Sequence, residues 1–140
     1  MAHRELRVGD PLPSLAIAPV SRLNLALFAG ASGDHHPIHI DLDYARSAGF
    51  ADVFAHGMLG MAWLGRCLTN WQPQGYLRNF TVRFGGITHL GHQMTCRGKI
   101  VELNHDKNTT YIKLDIEAVN QFGEVKIAGE ADFALPFEDS

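Results

Sequence analysis

The segment HGMLGMAWLGRCLTNW, His56 to Trp71, constrains the fold more than any other stretch of the chain. Met58, Met61, Ala62, Gly65 and Leu68 recur at helical spacing, and Leu59, Trp63 and Cys67 lie close beside that stripe. The helix they predict is apolar on nearly every face and should therefore be buried. Gly60 and Gly65 each weaken helix propensity by roughly 1 kcal/mol, which predicts that something passes close to the backbone there, a neighbouring strand or a ligand. Close packing on a sheet is the more ordinary reason for either glycine taken alone.

The cover for that helix comes from the second half of the chain. From Tyr76 onward the apolar period changes to two, in LRNFTVRFGG, QMTCRGKIVEL, TTYIKLDIEAV and EVKIAGEADFAL. Phe80, Val82 and Phe84 alternate with Thr81 and Arg83, while Tyr111, Leu114 and Ile116 sit among Lys113, Asp115 and Glu117. The connections ITHLGH, NHDKN and NQFGE carry Gly, Asn and Asp as hairpin turns would. The pattern is α+β, an antiparallel sheet wrapped around or laid against one central helix. With 140 residues, 46% of them hydrophobic, the chain is expected to form one domain over 1–140. Ahead of the central helix, SLAIAPV reads as a short strand. Ser21 is a plausible N-cap for a helix with Leu23, Ala26, Leu27 and Gly30 on its stripe, ending at AGASGD. LDYARSAGF predicts a brief helix that breaks at Gly49.

Composition excludes several functions. Twelve Lys and Arg stand against fifteen Asp and Glu, for a net charge of −3, and the basic residues are scattered, so nucleic acid is not an expected partner. Cys67 and Cys96 lack any CxxC or Cys/His spacing and read as free, buried thiols of a reducing compartment, with one disulfide between them as the alternative. No apolar run is long enough to span a bilayer or act as a secretion signal, so the expected location is cytoplasmic and no membrane partner is expected.

The chemistry concentrates in GDHHPIHID, Gly33 to Asp41. His35, His36, His39, Asp34, Asp41 and Asp43 look like a supply of metal ligands, yet Pro37 interrupts the pair His35/His39 and no glutamate accompanies it as in HExxH. No metal is therefore expected. Pro37 also pushes His36 toward an extended conformation, giving a stiff turn. Asp34 and His39, five positions apart across that turn, can point into one cleft, hold a water and share the removal and delivery of a proton. The sequence AHGML offers the matching stabiliser, because free N–H groups at a helix N-terminus can bind a carbonyl oxygen as it gains negative charge. Gly57 would let that oxygen approach. The bland alternative is a polar turn with a structural His56, and on the residues alone both readings stand.

FAGASGDHHPIHID resembles the hydratase-2 signature: an aromatic residue, Ser/Thr-Gly-Asp, Asn-Pro, an aliphatic residue, His, and an acid two positions later. FADVFAHGMLGMAWLG looks like the helix start that follows it in MaoC-like dehydratases and R-specific enoyl-CoA hydratases. The two motifs keep the family's order and spacing, and the trailing strands agree with it. The resemblance implies the hotdog fold, a hydrophobic helix wrapped by a curved antiparallel sheet. It also implies that Asp34 and His39 activate a water that adds to C3 of a trans-2-enoyl thioester, giving the (3R)-3-hydroxyacyl product. Gly57 matches the position whose amide polarises the thioester carbonyl. Gly57, His56, Met58 and His36 make up the expected substrate-binding set, and Asp41 matches the closing acid. His36 stands where the family usually has Asn.

The reading is a hydro-lyase acting on CoA or acyl-carrier-protein thioesters without a cofactor, as a homodimer or dimer of dimers, or in a hetero-assembly. Met58, Met61, Trp63 and facing strand residues are expected to set tunnel depth. The alternatives are a hotdog thioesterase and a non-catalytic acyl-thioester-binding subunit.

Overall fold

A computed structural model of the chain describes residues 5–136. In chain order it contains β1 (Leu15–Ala16), α1 (Arg22–Ser32), α2 (Leu42–Ser47), α3 (Gly57–Trp71), β2 (Leu77–Phe84), β3 (Thr95–Asp106), β4 (Thr109–Val119) and β5 (Val125–Pro136). Single 3₁₀ turns lie at Pro37–His39 and Gln74–Tyr76. The strands form one antiparallel sheet in the order β1-β3-β4-β5-β2.

Period two decides which face of the sheet is inside. On β4, Ile112, Leu114, Ile116 and Ala118 are all buried, while Asp115 faces out. Tyr111 shares the outward parity and is 48% exposed, so it does not join the inward set with Leu114 and Ile116. The inner face shares one apolar cluster with Trp63, Leu64, Cys67 and Leu68 of α3. Cys67 and Cys96 are buried and free. Loss of water raises both thiol pKa values, that of Cys96 to about 12, with the Cys67 thiol adding to the effect there. Both are thus held as inert thiols. No helix among the described residues is long and apolar enough to cross a membrane.

Three expectations are corrected. NHDKN and NQFGE do turn hairpins, between β3 and β4 and between β4 and β5. ITHLGH does not, because β2 pairs with β5 at one edge and β3 lies next to β1 near the other. The residues of ITHLGH instead brace the chain ahead of α3: Phe54 bridges to His89, and the Ala55 N–H donates to the Thr88 carbonyl at 2.9 Å. Second, α1 begins at the expected cap, with Ser21 and Asn24 forming a reciprocal capping box. It buries Leu25 and Ala29 rather than the expected stripe, and Leu23 and Leu27 are 66% and 62% exposed. Leucines occur on both sides of this helix, so spacing alone does not choose the inner one.

The third correction concerns α3, which is buried on one side only. Gly60, Trp63, Leu64, Cys67 and Leu68 are buried, but Met58 is 57% exposed. The two glycines divide between the alternatives read from the sequence. A Cβ on Gly60 would collide with the Ile127 side chain of β5, so this glycine exists for a strand. A Cβ on Gly65 would meet only Phe80, at an ordinary 3.5 Å, and Gly65 lines a cavity.

Candidate active site

The loop after α1 is built from local hydrogen bonds. Gly33 takes a left-handed conformation, φ 76°, and its N–H closes the helix onto the Ala29 carbonyl at 3.0 Å. The Asp34 N–H then donates to Ser32 Oγ at 3.2 Å, and Asp34 Oδ1 accepts from the His36 N–H at 3.3 Å. His36 Nδ1 accepts from the Ile38 N–H at 3.1 Å, capping the 3₁₀ turn that Pro37 opens. An asparagine side chain makes the same kind of bond to the amide two residues on. His36 thus makes locally the bond that an asparagine at this position would make. Asp41 Oδ1 accepts from the Asp43 and Tyr44 N–H groups and is the N-cap of α2. His35 is exposed.

His39 is held differently. Its Nδ1–H donates to the Phe54 carbonyl at 2.8 Å, on the segment braced by His89 and Thr88. The neutral ring therefore keeps its lone pair on Nε2. Burial pulls the His39 pKa below 6.5; the Phe54 hydrogen bond and Asp34 oppose that shift, and His56 and His36 assist it. His56, the residue before α3, is 2% exposed. Its ring stacks on that of His39, centroids 3.9 Å apart and 26° from parallel. Its Nε2–H donates to the main-chain carbonyl of Asp34 at 3.1 Å. Donor atoms of Asp34, His39 and His56 all lie within 4.8 Å of one another.

A cavity of about 560 Å³ opens beside this group, lined by Phe28, Ser32, Asp34, Met58, Met61, Ala62, Gly65 and Phe80. Its wall is apolar except for Ser32 and Asp34. Asp34 lines it directly; His39 is not part of the wall but has a ring nitrogen within 4.8 Å of the Asp34 carboxylate. No side chain caps the N-terminus of α3; the Leu59 N–H already donates to the His56 carbonyl at 3.1 Å, which leaves the Gly57 and Met58 amides to meet an oxygen. A Cβ at Gly57 would press to 3.0 Å from the Phe84 ring, so the glycine answers to that ring as well as leaving the helix end open.

Residues 7–121 match the family model of the MaoC like domain. The chain belongs to this family. The MaoC-like chain is 28% identical over 132 residues to a mitochondrial 3-hydroxyacyl-[acyl-carrier-protein] dehydratase of Arabidopsis thaliana, covering 94% of this chain and 78% of that one. It is 28% identical over 119 residues to an (R)-specific enoyl-CoA hydratase of Rhodospirillum rubrum, covering 84% of this chain and 81% of the relative. Among solved structures, the unliganded R-hydratase of Pseudomonas aeruginosa superposes with a TM-score of 0.83 at 30% identity, covering 96% of this chain and 84% of that one. The α+β hotdog fold expected from the sequence is the fold observed.

On this MaoC-like domain the structure brings together Asp34, His39 and His56, with Met58 at the cavity beside them and Gly57 one residue earlier. His36 lies outside the cavity wall. Trp63 does not line the cavity, because it faces the sheet. Phe28 of α1 and Phe80 of β2 do line it, and sequence reasoning missed Phe28, whose only signal is the aromatic residue that opens the motif. Asp34, His39 and His56 are the residues that could hold a metal. Two imidazoles stacked nearly parallel carry their lone pairs in separate planes, so one ring would have to turn before both could reach a single ion. The arrangement as it stands suits a water or a substrate oxygen.

Proposed function

We propose that this protein is a hydro-lyase that reversibly hydrates trans-2-enoyl thioesters of CoA or acyl carrier protein to (3R)-3-hydroxyacyl thioesters. One observation carries the reading: Asp34 and His39 converge beside an apolar cavity, with Nδ1–H of His39 committed to a carbonyl and Nε2 left as a base. In hydration, the water oxygen bonds to C3 while one of its protons passes to the Asp34–His39 pair. The pair then returns a proton to C2. A lowered His39 pKa keeps the ring neutral, and so able to accept that proton, at neutral pH. Gly57 and the uncapped start of α3 are suited to draw the thioester carbonyl and stabilise the enolate-like charge. The activities named for the Arabidopsis and Rhodospirillum relatives are the two directions of this chemistry.

The acyl chain would lie along Met58, Met61, Ala62, Gly65 and Phe80. Met58, Phe84, Leu23 and Leu27 are large apolar residues left exposed, which supports a homodimer that closes the cavity; light scattering of the purified protein tests that. The central test is hydration of crotonyl-CoA by Asp34→Asn and His39→Ala. Each variant is expected to lose about 10²–10⁴-fold in kcat, the usual worth of a positioned acid or base, with an unchanged circular dichroism spectrum. Near-normal turnover by either would overturn the reading, and release of free thiol in place of hydration would make the protein a thioesterase.

A further inference from the structure

We infer that His56 is the positioning residue of this site: a buried clamp that ties the main chain of Asp34 to the body of the protein and fixes the ring plane of His39. The inference rests on the proposed Asp34–His39 chemistry. It begins from the weakness of what holds Asp34 otherwise. Asp34 is exposed, and its carboxylate makes a single long bond, 3.3 Å, within its own loop. Its other contact within the loop is the 3.2 Å bond to Ser32. The bond from His56 Nε2, reaching across 22 positions of sequence, is what anchors that residue to α3. Without it the carboxylate would move with a solvent-exposed turn.

His56 is itself held by two rings. Phe28 of α1 meets it edge-on with centroids 4.9 Å apart, and His39 stacks on it at 3.9 Å. A residue 2% exposed and in contact with two rings is held in its rotamer by close packing. The same stack holds His39 against rotation about its bond to Phe54. One side chain thus sets the spacing between the carboxylate and the imidazole. Its tautomer is fixed too, since a carbonyl can only accept, so Nε2 carries the proton and Nδ1 the lone pair. That Nδ1 is buried without a hydrogen-bond partner. An orphaned polar atom is a cost that an apolar side chain at this position would avoid, and such exceptions to pairing call for a functional cause. His56 does not line the cavity, so it acts through Asp34 and His39 and not on substrate.

The groups facing His39 are Asp34 and His36 from the loop, His56 from the start of α3, and the Phe54 carbonyl and ring from the segment before it. Removing the His56 ring admits water to one face of His39, and its pKa rises toward 6.5. The sign follows: the neutral base is then lost at a higher pH on acidification, so the acid limb of kcat/KM moves up.

Three variants separate clamp from filler. His56→Phe keeps the stack and loses the tie to Asp34; kcat for crotonyl-CoA is expected to fall by about a hundredfold, the effect of misplacing a catalytic group by about 1 Å, with KM little changed. His56→Gln places an amide donor near the same carbonyl and is expected to recover most of that loss. His56→Ala is expected to shift the acid limb upward. Wild-type kcat in His56→Phe, no rescue in His56→Gln, or an unmoved acid limb in His56→Ala would each overturn the inference. Should a variant fail to fold, nitrogen-15 NMR of the wild-type protein decides: the Nε2–H tautomer for His56 is required, and the Nδ1–H tautomer would refute the tie. Asp34→Asn and His39→Ala are measured in parallel. If both stay active, the hydratase reading fails; if both are dead while the His56 variants behave as wild type, only the clamp fails.

Discussion

The two faces of α3 share one backbone and one kind of residue, yet they serve different ends. Toward the sheet, Gly60, Trp63, Leu64, Cys67 and Leu68 are buried against strands. On its other side, Met58, Met61, Ala62 and Gly65 line a cavity with Phe28 of α1 and Phe80 of the edge strand β2. The first face is apolar because a core excludes water. The second remains apolar and open, and an apolar concavity with a carboxylate at its edge has the form of a ligand site. Hydrophobicity alone does not tell these apart; what each residue would meet if enlarged does.

The largest effect is expected on the closed face. Leu64 is fully buried, and Leu64→Ala should cost about 2–5 kcal/mol through lost transfer energy and an unfilled cavity. Urea denaturation read by tryptophan fluorescence measures it. A loss below about 1 kcal/mol would mean that the sheet collapses onto the vacancy and the packing is looser than described.

That division was only half legible in the sequence. The period-two runs, the Ser21 cap, the two hairpins and the helix over Gly57–Trp71 all follow from local pattern, since each depends on residues within a turn or two of one another. Strand order does not: β2 pairs with β5 across the whole of β3 and β4, and the single glycine of ITHLGH, Gly91, looks the same in a hairpin as in a crossover. The inner side of α1 was equally hidden, with leucines at 23, 25 and 27. In the site, Asp34, His39 and Gly57 are carried by short motifs and could be named. The contact of His56 with both Asp34 and His39 could not, because it exists only after α3 has been laid beside the loop.

The sharper test uses the same substitution on each face. A Cβ at Gly60 collides with Ile127, which is itself 3% exposed and has little room to yield. A collision this close belongs in the upper half of the usual overpacking cost, about 2–3 kcal/mol, and the gain in helix propensity returns about 1. Gly60→Ala should therefore be destabilising by about 1–2 kcal/mol, seen as a lower denaturation midpoint at unchanged slope. A neutral or stabilising outcome would show that β5 shifts away freely and that the glycine is not there for the strand.

Gly65→Ala, five residues further along the same helix, should go the other way. Its Cβ reaches only ordinary contact with Phe80, so the propensity gain stands nearly alone and stability should rise by about 0.5–1 kcal/mol. The added methyl enters the cavity, so crotonyl-CoA hydration should hold within about twofold while octenoyl-CoA hydration falls by about tenfold, the scale of one methylene of steric discrimination. Loss of stability instead would erase the contrast between the faces, since it would mean that the open side of α3 is tightly packed in solution by a second chain. Raised stability with unchanged chain-length preference would keep the contrast but move the acyl chain elsewhere, away from Gly65 and Phe80.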